Sequence, residues 1–376
     1  MNDRDLLEKL WREGVKQVQG YACVTKALEN QSDFVPTKIA AVGKAASSMM
    51  RAALDQIGVN TKGLVVTKYD HSEKELGSYS SLTVIEAAHP VPDENSLRAG
   101  AALLEFVRSS TAEDSLLFLI SGGASSLVEC LPAGMSLAEL QAMNEEMLAD
   151  GLDIHAINAK RREVSLIKGG KLLSHFKGMA VKVLAISDVE KDDINVIGSG
   201  IGASPVTAKA GVIETEIIAS NYLARNAMEE KAEDLEIEVI VNSENLYGDV
   251  FEVANACVET VKSGAPGLYI FGGEPTIILP ENPGEGGRNQ ALAVAMARET
   301  SGVNGITILV AGTDGSDGPT NSAGGIATGD SWEETQGGQT ALDAANSGKW
   351  LKRSGGLFVT GPTGTNVMDV MLVLKR

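Results

Sequence analysis

The stretch 306-ITILVAGTDGSDGPT-320 joins an apolar run to a loop rich in glycine and aspartate. The apolar residues of Ile306–Ala311 are typical of a buried strand, and Gly312 ends the run. Asp314 and Asp317 follow directly, so we expect their carboxylates to lie at the end of this strand. Carboxylates in that position suit the metal ion and the attacking hydroxyl of a phosphoryl transfer reaction.

Two further glycine-rich blocks lie just upstream. The first, Gly272–Thr276 (GGEPT), ends an apolar run, and the second, 284-GEGGRNQ-290, precedes a helical pattern over Ala291–Ala297. Arg288 stands at the expected start of this helix, where backbone N–H groups and the helix dipole favour an anion. Each block alone is also explained as a turn with a helix cap, but three blocks in succession favour a binding site.

In the first half of the chain, the apolar run Lys38–Val42 predicts a buried strand that leads into Gly43 and Lys44. A lysine in this position lies at the carboxyl edge of the sheet, where open α/β folds bind ligands. The spacing is not that of a phosphate-binding GxxxxGK[ST] loop. A solvated lysine after a turn is the alternative.

Two more predicted strands end in polar residues. The strand Asp114–Ile120 runs into 121-SGGASS-126, whose small hydroxyl residues suit a phosphate or a carboxylate, or only a tight turn with a helix cap. The strand Val181–Ile186 is followed by Asp188, which is a candidate Mg²⁺ ligand.

A basic segment covers residues 157–172. In a helix, its polar residues would recur at steps of three and four and place three cations on one face: Asn158, Arg161, Ser165, Lys168 and Lys171. Such a face would bind an anion. The alternative is a solvated face with ion pairs inside the helix, for example to Glu163.

The composition limits the class of protein. The 376 residues carry a net charge of −18, which disfavours nucleic acid and anionic membranes as partners. The three cysteines form no disulfide or metal pattern and fit a reducing cytoplasm. The charged start is not a signal peptide, and no apolar run approaches the roughly 18 residues that span a bilayer.

Predicted strands alternate with predicted helices along the chain, which indicates an α/β protein with parallel sheets covered on both faces. A length prior of about 150 residues per domain suggests two or three domains. We place a domain boundary between residues 240 and 241, giving domains 1–240 and 241–376.

In their order, these blocks resemble the class II glycerate kinases, a family also labelled hydroxypyruvate reductases of tartrate operons. The resemblance covers nearly the whole chain and includes the blocks GKAA at 43–46, HPVPD at 89–93, SGGAS at 121–125, SDV at 187–189, IGSG at 197–200 and GPTGTNV at 361–367. It implies a larger N-terminal Rossmann-like α/β domain with a mostly parallel sheet and a smaller C-terminal α/β domain of the "multi-organism fragment rich in leucine" type. It also implies an active site in the cleft between the domains.

The resemblance further implies ATP-dependent phosphorylation of D-glycerate with Mg²⁺, commonly at the 2-hydroxyl, which gives 2-phosphoglycerate, or else 3-phosphoglycerate. We expect a monomer or homodimer. By motif position, it assigns catalysis to Lys44, Arg288, Asp314 and Asp188, and metal binding to Asp188 and Asp317. The residues assigned to substrate or phosphate are Ser121, Gly122, Gly123, Ser125, Asn158, Arg161, Lys168, Glu274 and Asn289.

Three positions depart from the family pattern near expected ligand loops: Lys191, Ile201 and Asn321. They leave open a kinase for a related small sugar acid, or a paralogue that only binds its ligands. An oxidoreductase acting on hydroxypyruvate requires a GxGxxG loop after the first strand, whereas this chain has Gly43-Lys44-Ala45-Ala46 there.

Overall fold

The chain forms two compact units in a computed structural model that describes residues 1–29, 34–149, 154–205 and 211–376. The parallel-sheet unit comprises Gln19–Ser220 and Gly364–Asn366, and the mixed-sheet unit comprises Met1–Val18, Asn221–Thr363 and Val367–Arg376. The main division between these compact units lies at Ser220/Asn221, and the domain boundary at 240/241 stays a prediction from the sequence. The first helix, α1 (Asp3–Gln17), belongs to the mixed-sheet unit.

The parallel-sheet unit is an α/β layer structure. Its helices are α2 (Gly20–Glu29), α3 (Ala46–Ile57), α4 (Glu94–Arg108), α5 (Ala124–Leu127), α6 (Leu137–Ala149) and α7 (Ile154–Val164). Its strands are β1 (Lys38–Val42), β2 (Lys62–Lys68), β3 (Leu82–Ala87), β4 (Ser115–Ile120), β5 (Ala180–Ile186) and β6 (Val212–Ala219). The strand order is β3-β2-β1-β4-β5-β6, and every pairing is parallel. This is the Rossmann strand order, and it confirms the parallel α/β sheet predicted for this part of the chain.

Burial explains why the strands of this sheet read as continuous apolar runs. Every residue of β1 and β4 is buried, because both faces of a parallel sheet are covered. The two strands are neighbours, with Val42 opposite Ile120. Since their carboxyl ends share one edge, the loops that begin at Gly43 and Ser121 start side by side.

The mixed-sheet unit adds a second sheet. Besides α1, its helices are α8 (Asn221–Asp234), α9 (Val250–Ser263), α10 (Arg288–Glu299), α11 (Ser331–Glu334), α12 (Gly338–Asp343) and α13 (Ser347–Ser354). Its strands are β7 (Val239–Asp249), β8 (Gly267–Thr276), β9 (Ile306–Gly312), β10 (Gly324–Thr328), β11 (Leu357–Phe358) and β12 (Asp369–Lys375). The order is β11-β10-β9-β12-β8-β7.

The prediction of a parallel sheet is wrong for this unit. Among its described strands, β7 and β8 pair in parallel, and the other neighbours are antiparallel. The helix between β8 and β9 does make these two strands run in the same direction. The last strand, β12, then inserts between them in the opposite direction, which the alternation of strands and helices does not reveal.

Two glycine-rich segments also differ from the prediction. Strand β8 continues through Gly272 and Gly273 instead of ending there, since both pair with β12. Strand β10 contains Gly324 and Gly325 and was not predicted. In both places, neighbouring strands supply the hydrogen bonds that stabilise a segment of low strand propensity.

Helix α1 carries the predicted apolar stripe, which is buried at Leu6, Leu7, Leu10, Trp11 and Val15. It packs on α8, β9 and β12, and the Trp11 ring meets Phe358 edge-on with centroids 5.2 Å apart. Within the described residues, no helix combines the length and apolar character required to cross a membrane.

We predict that Trp11→Ala destabilises the mixed-sheet unit by about 3–5 kcal/mol, because it removes a buried aromatic ring and leaves a cavity. Urea unfolding followed by circular dichroism measures the change. Lys16→Ala, on the exposed side of the same helix, is the matched control. Equal unfolding midpoints for the two variants would contradict the packing described for α1.

Candidate functional site

The loops after β1 and β4 are hydrogen-bonded to each other. The backbone N–H of Lys44 donates to the carbonyl of Gly122 over 2.9 Å, and that of Ala45 donates to Ser121 Oγ over 3.0 Å. Ser121 is buried, so its hydroxyl links the two loops through a hydrogen bond that is shielded from solvent. The structure therefore brings the predicted Gly43–Lys44 and Ser121–Ser125 motifs into one cluster.

Two glycines in this cluster allow four polar side chains to approach. A Cβ on Gly122 would overlap the Asp188 carboxylate and lie 3.0 Å from Nδ2 of Asn366. Gly123 has φ +84°, and a Cβ there would lie 3.2 Å from Cγ of Lys44 and 3.0 Å from Cδ2 of His89. Lys44 and Asp188, both predicted as catalytic, thus lie beside one glycine pair.

Next to this pair is a cavity of about 320 Å³ within the parallel-sheet unit. Ser125 and Ser199 line it, and their hydroxyl oxygens are 2.7 Å apart. The other polar residues of its wall are His89, Ser126, Glu129, Arg161, Lys168 and Asp188. Hydroxyls, cations and two carboxylates surround the cavity, and its size and its cations suit a small anionic ligand.

The basic segment 157–172 is not one helix, so the prediction of three cations on a single helical face is wrong. Helix α7 ends at Val164, because Ser165 Oγ accepts the N–H groups of Ile167 and Lys168 in a turn. Lys171 donates its ammonium to carbonyls at the end of the helix. Arg161 and Lys168 nevertheless both line the cavity, and burial lowers the pKa of each.

The predicted ligand Asn158 belongs to α7, and its side chain lies outside the described part of the structure. Of the three departures from the family pattern, Lys191 and Asn321 are exposed. Ile201 is buried and packs in the core of the parallel-sheet unit. The third departure thus fills the core.

In the mixed-sheet unit, Arg288 begins helix α10 and is held by two carboxylates. Its Nε donates to Asp369 Oδ2 over 2.7 Å, and a terminal nitrogen lies 2.9 Å from Glu274 Oε1. Asn289 donates to the other Asp369 oxygen over 2.9 Å. Burial alone would lower the pKa of Arg288, but Asp369 and Glu274 raise it, so the guanidinium stays charged.

Asp317 caps helix α10. Its two carboxylate oxygens accept the backbone N–H groups of Asn289 and Gln290 over 3.0 and 2.8 Å. Burial raises the pKa of Asp317 to about 6, although these hydrogen bonds oppose the rise. Both oxygens are therefore engaged by backbone donors, which argues against the predicted role of Asp317 as a metal ligand.

Asp314 lies in the loop after β9 and is half-buried. Its carboxylate accepts the N–H and the hydroxyl of Ser316 over 2.8 and 2.9 Å. Thr313 Oγ1 donates to the carbonyl of Met368 and accepts the N–H of Val367, which ties this loop to the segment before β12. Asp314 thus lies in a loop that is held by its own hydrogen bonds and by those to the segment before β12.

Several residues of these clusters were not predicted as site residues, among them Glu129, Asn366 and Asp369. Glu129 is a single acid in the apolar run 127-LVECL-131, which was a signal that it needs a buried partner. Asn366 belongs to the motif GPTGTNV at 361–367, and Asp369 follows it as the first residue of β12. Their partners are distant in the sequence, so spacing could not identify them.

Asp317 provides a test of the electrostatics of the helix cap. With its pKa raised, the folded state binds this proton up to about pH 6 and the unfolded state only up to about pH 4. The free energy of unfolding should therefore fall as the pH rises from 4 to 6, by up to roughly 3 kcal/mol from this group. Asp317→Asn removes the titration.

Urea unfolding at pH 4, 5, 6 and 7 measures this contribution as the difference in pH slope between the wild type and Asp317→Asn. Asp343→Asn, which changes an exposed aspartate of the same unit, should keep the wild-type slope. An unchanged slope in Asp317→Asn would show that Asp317 titrates normally.

Comparison with known proteins identifies the family. Residues 6–235 match the family described as "Domain of unknown function (DUF4147)", and residues 267–369 match the MOFRL family. The chain is 35% identical to the D-glycerate 2-kinase of Thermotoga maritima, over 89% of this chain and 90% of that protein. It is 31% identical to the glycerate 2-kinase of Pyrococcus horikoshii, over 100% of this chain and 98% of that protein.

The crystal structure of glycerate kinase from Thermotoga maritima matches with a TM-score of 0.89 and 31% identity, covering 99% of both chains. The chain belongs to the class II glycerate kinase family.

Proposed function

We propose that this protein is a kinase that transfers the γ-phosphoryl group of ATP to the 2-hydroxyl of D-glycerate, giving 2-phosphoglycerate and ADP. The observation that carries the proposal is the match over nearly the whole chain to proteins named glycerate 2-kinase. The cluster around Gly122 and Gly123 supports it, because Lys44 and Asp188 both lie there.

The residues of the parallel-sheet unit supply the chemistry that this reaction requires. The substrate hydroxyl forms a bond to the γ-phosphorus, the bond to the bridging oxygen breaks, and ADP leaves. Asp188 accepts or orients the hydroxyl proton, and the Lys44 ammonium offsets the charge on the transferred group. Asp314, a residue of the mixed-sheet unit, is the alternative carboxylate for the role of Asp188.

Arg288 is the proposed anion ligand of the mixed-sheet unit. Two carboxylates hold it, yet its side chain is 34% exposed to solvent, so one side of the guanidinium is accessible to a ligand. A guanidinium fixed at a helix N-terminus binds phosphate or carboxylate through two parallel hydrogen bonds. We propose that it binds an anionic group of the nucleotide or the acid.

The described residues contain no group of three or more His, Cys, Asp or Glu side chains that could hold a metal ion. This fits Mg²⁺ in a kinase, because Mg²⁺ usually takes one or two carboxylates, waters and substrate phosphates. Asp188 is the residue that would hold it. The bound ion would neutralise charge on the phosphates.

An assay that couples ADP release to a detectable signal tests the function. The protein should release ADP with D-glycerate, and chelation of Mg²⁺ should abolish the release. Faster turnover with a four-carbon sugar acid would show that this acid, and not D-glycerate, is the preferred substrate. Nucleotide binding without turnover of any acid would identify a binding-only paralogue, and NADH consumption with hydroxypyruvate would identify a reductase.

We predict that Gly122→Ala lowers turnover at least about tenfold, because the new Cβ would overlap the Asp188 carboxylate and displace it. Steady-state kinetics measure the loss. Gly77→Ala is the matched control, since a Cβ there would meet no atom within 4 Å. Equal turnover in the two variants would show that the position of Asp188 is not important.

Lys44→Ala and Arg288→Ala should each lower turnover by at least roughly a hundredfold, a loss comparable to that of an oxyanion-hole donor. Both variants should stay folded, as circular dichroism can verify. Lys62→Ala, which changes an exposed lysine of β2, should retain wild-type turnover. Near wild-type activity of Lys44→Ala would exclude its catalytic role, and a defect of Arg288→Ala in solubility alone would indicate a structural arginine.

A further inference from the structure

A buried acid lies in the wall of the cavity that we propose for an anionic substrate. The side chain of Glu129 is 1% exposed and forms an ion pair with the ammonium of Lys168, which is 2% exposed. Its Oε1 also accepts the hydroxyl of Ser165 over 2.5 Å and the N–H of Cys130 over 2.9 Å. A carboxylate at this position repels an anionic ligand, so its presence in the wall requires an explanation.

The hydrogen bonds of Glu129 prevent its carboxylate from turning toward solvent. Its backbone N–H donates to the carbonyl of Ser96 over 3.1 Å, and Gly100 packs directly against its backbone. Ser165, which donates to the carboxylate, also accepts the N–H groups of the turn that carries Lys168. The acid and the ammonium are therefore fixed opposite each other.

The consequence is electrostatic. A buried lysine beside a substrate cavity would attract every negative group of a ligand, and more strongly than in water because the local dielectric is low. Glu129 cancels that charge at contact distance. The pair thus adds hydrogen-bonding groups to the wall without adding net positive charge.

The size of the cavity does not explain which acids it accepts. A volume of about 320 Å³ holds a three-carbon acid with one carboxylate, and it equally holds one with two. Discrimination between these acids must therefore come from charge. Arg161 and Asp188 contribute one charge of each sign to the wall, so its remaining charge depends on whether Lys168 is neutralised.

We propose that Glu129 is a specificity-determining residue: by neutralising Lys168, it makes the cavity select a hydroxy acid with one carboxylate over a hydroxy acid with two. This inference rests on the proposed function, since it takes the cavity as the site of the acid. Glu129 acts through Lys168 and does not itself contact the reacting atoms.

Isothermal titration calorimetry tests the proposal with two probes, D-glycerate and hydroxymalonate, which differ by one carboxylate. The wild type should bind D-glycerate more tightly. Glu129→Gln leaves the ammonium uncompensated and should shift the affinity ratio toward hydroxymalonate by about tenfold. The titrations are run on the acid side of neutrality, because burial lowers the pKa of Lys168 and a lower pH favours its protonated form.

Two further variants separate charge from structure. Lys168→Met leaves the carboxylate uncompensated and should shift the ratio toward D-glycerate by a similar factor. The double variant Glu129→Gln/Lys168→Met is again neutral and should restore the wild-type ratio. It should also fold, because replacing a whole buried ion pair is often neutral for stability.

Glu244→Gln is the matched control, since Glu244 pairs with the buried Arg225 in the mixed-sheet unit over 3.3 Å. It should leave the ratio unchanged. A folded Glu129→Gln with the wild-type ratio would overturn the proposal, as would a wild type that prefers hydroxymalonate. If Glu129→Gln does not fold, equal ratios in Lys168→Met and the double variant would overturn it.

The outcomes separate this proposal from the kinase function. ADP release with D-glycerate, together with ratios that do not follow the charge, would reject the role of Glu129 and keep the kinase. Ratios that follow the charge, in a protein that releases no ADP, would keep the role of Glu129 and reject the kinase.

Discussion

The insertion of β12 between β8 and β9 is the constraint on which the mixed-sheet unit depends. All seven residues of this strand pair with both neighbours, from Asp369 to Lys375. Without β12, both β8 and β9 would present an open edge, and unpaired buried backbone groups are costly. The first residue of the strand also carries the carboxylate that holds Arg288. The pairing that completes the sheet therefore also positions a cation of the candidate site.

The sequence predicted the parts of the fold that depend on local pattern. Apolar runs such as Leu116–Ile120 correctly predicted buried strands, since parallel strands are covered on both faces. The same approach missed β10, because Gly324 and Gly325 have low strand propensity and gain their order from β9. The recurrence of polar residues at steps of three and four over residues 157–172 suggested a single helical face, and it could not show that Ser165 accepts the N–H groups of a turn after α7.

For the candidate site as well, the sequence predicted the residues of local motifs and missed residues whose partners are distant. Motifs that follow a strand, such as Gly43-Lys44 and Gly122-Gly123, were found because the carboxyl ends of parallel strands meet at one edge. Glu129 and Asp369 were missed because each is defined by a partner far along the chain. Asp317 was interpreted as a metal ligand because a carboxylate after a strand fits that role. Its engagement by the N-terminus of α10 became visible only in three dimensions.

Both ends of the chain belong to the mixed-sheet unit: α1 at the beginning and β12 at the end. During synthesis, α1 leaves the ribosome long before α8, and the sheet it packs on remains incomplete until β9 and β12 have emerged. Its apolar stripe therefore stays exposed while the intervening segment is translated. The parallel-sheet unit, which lacks only Gly364–Asn366, can assemble first. Such an order leaves the apolar face of α1 exposed on the nascent chain until the strands that cover it are made.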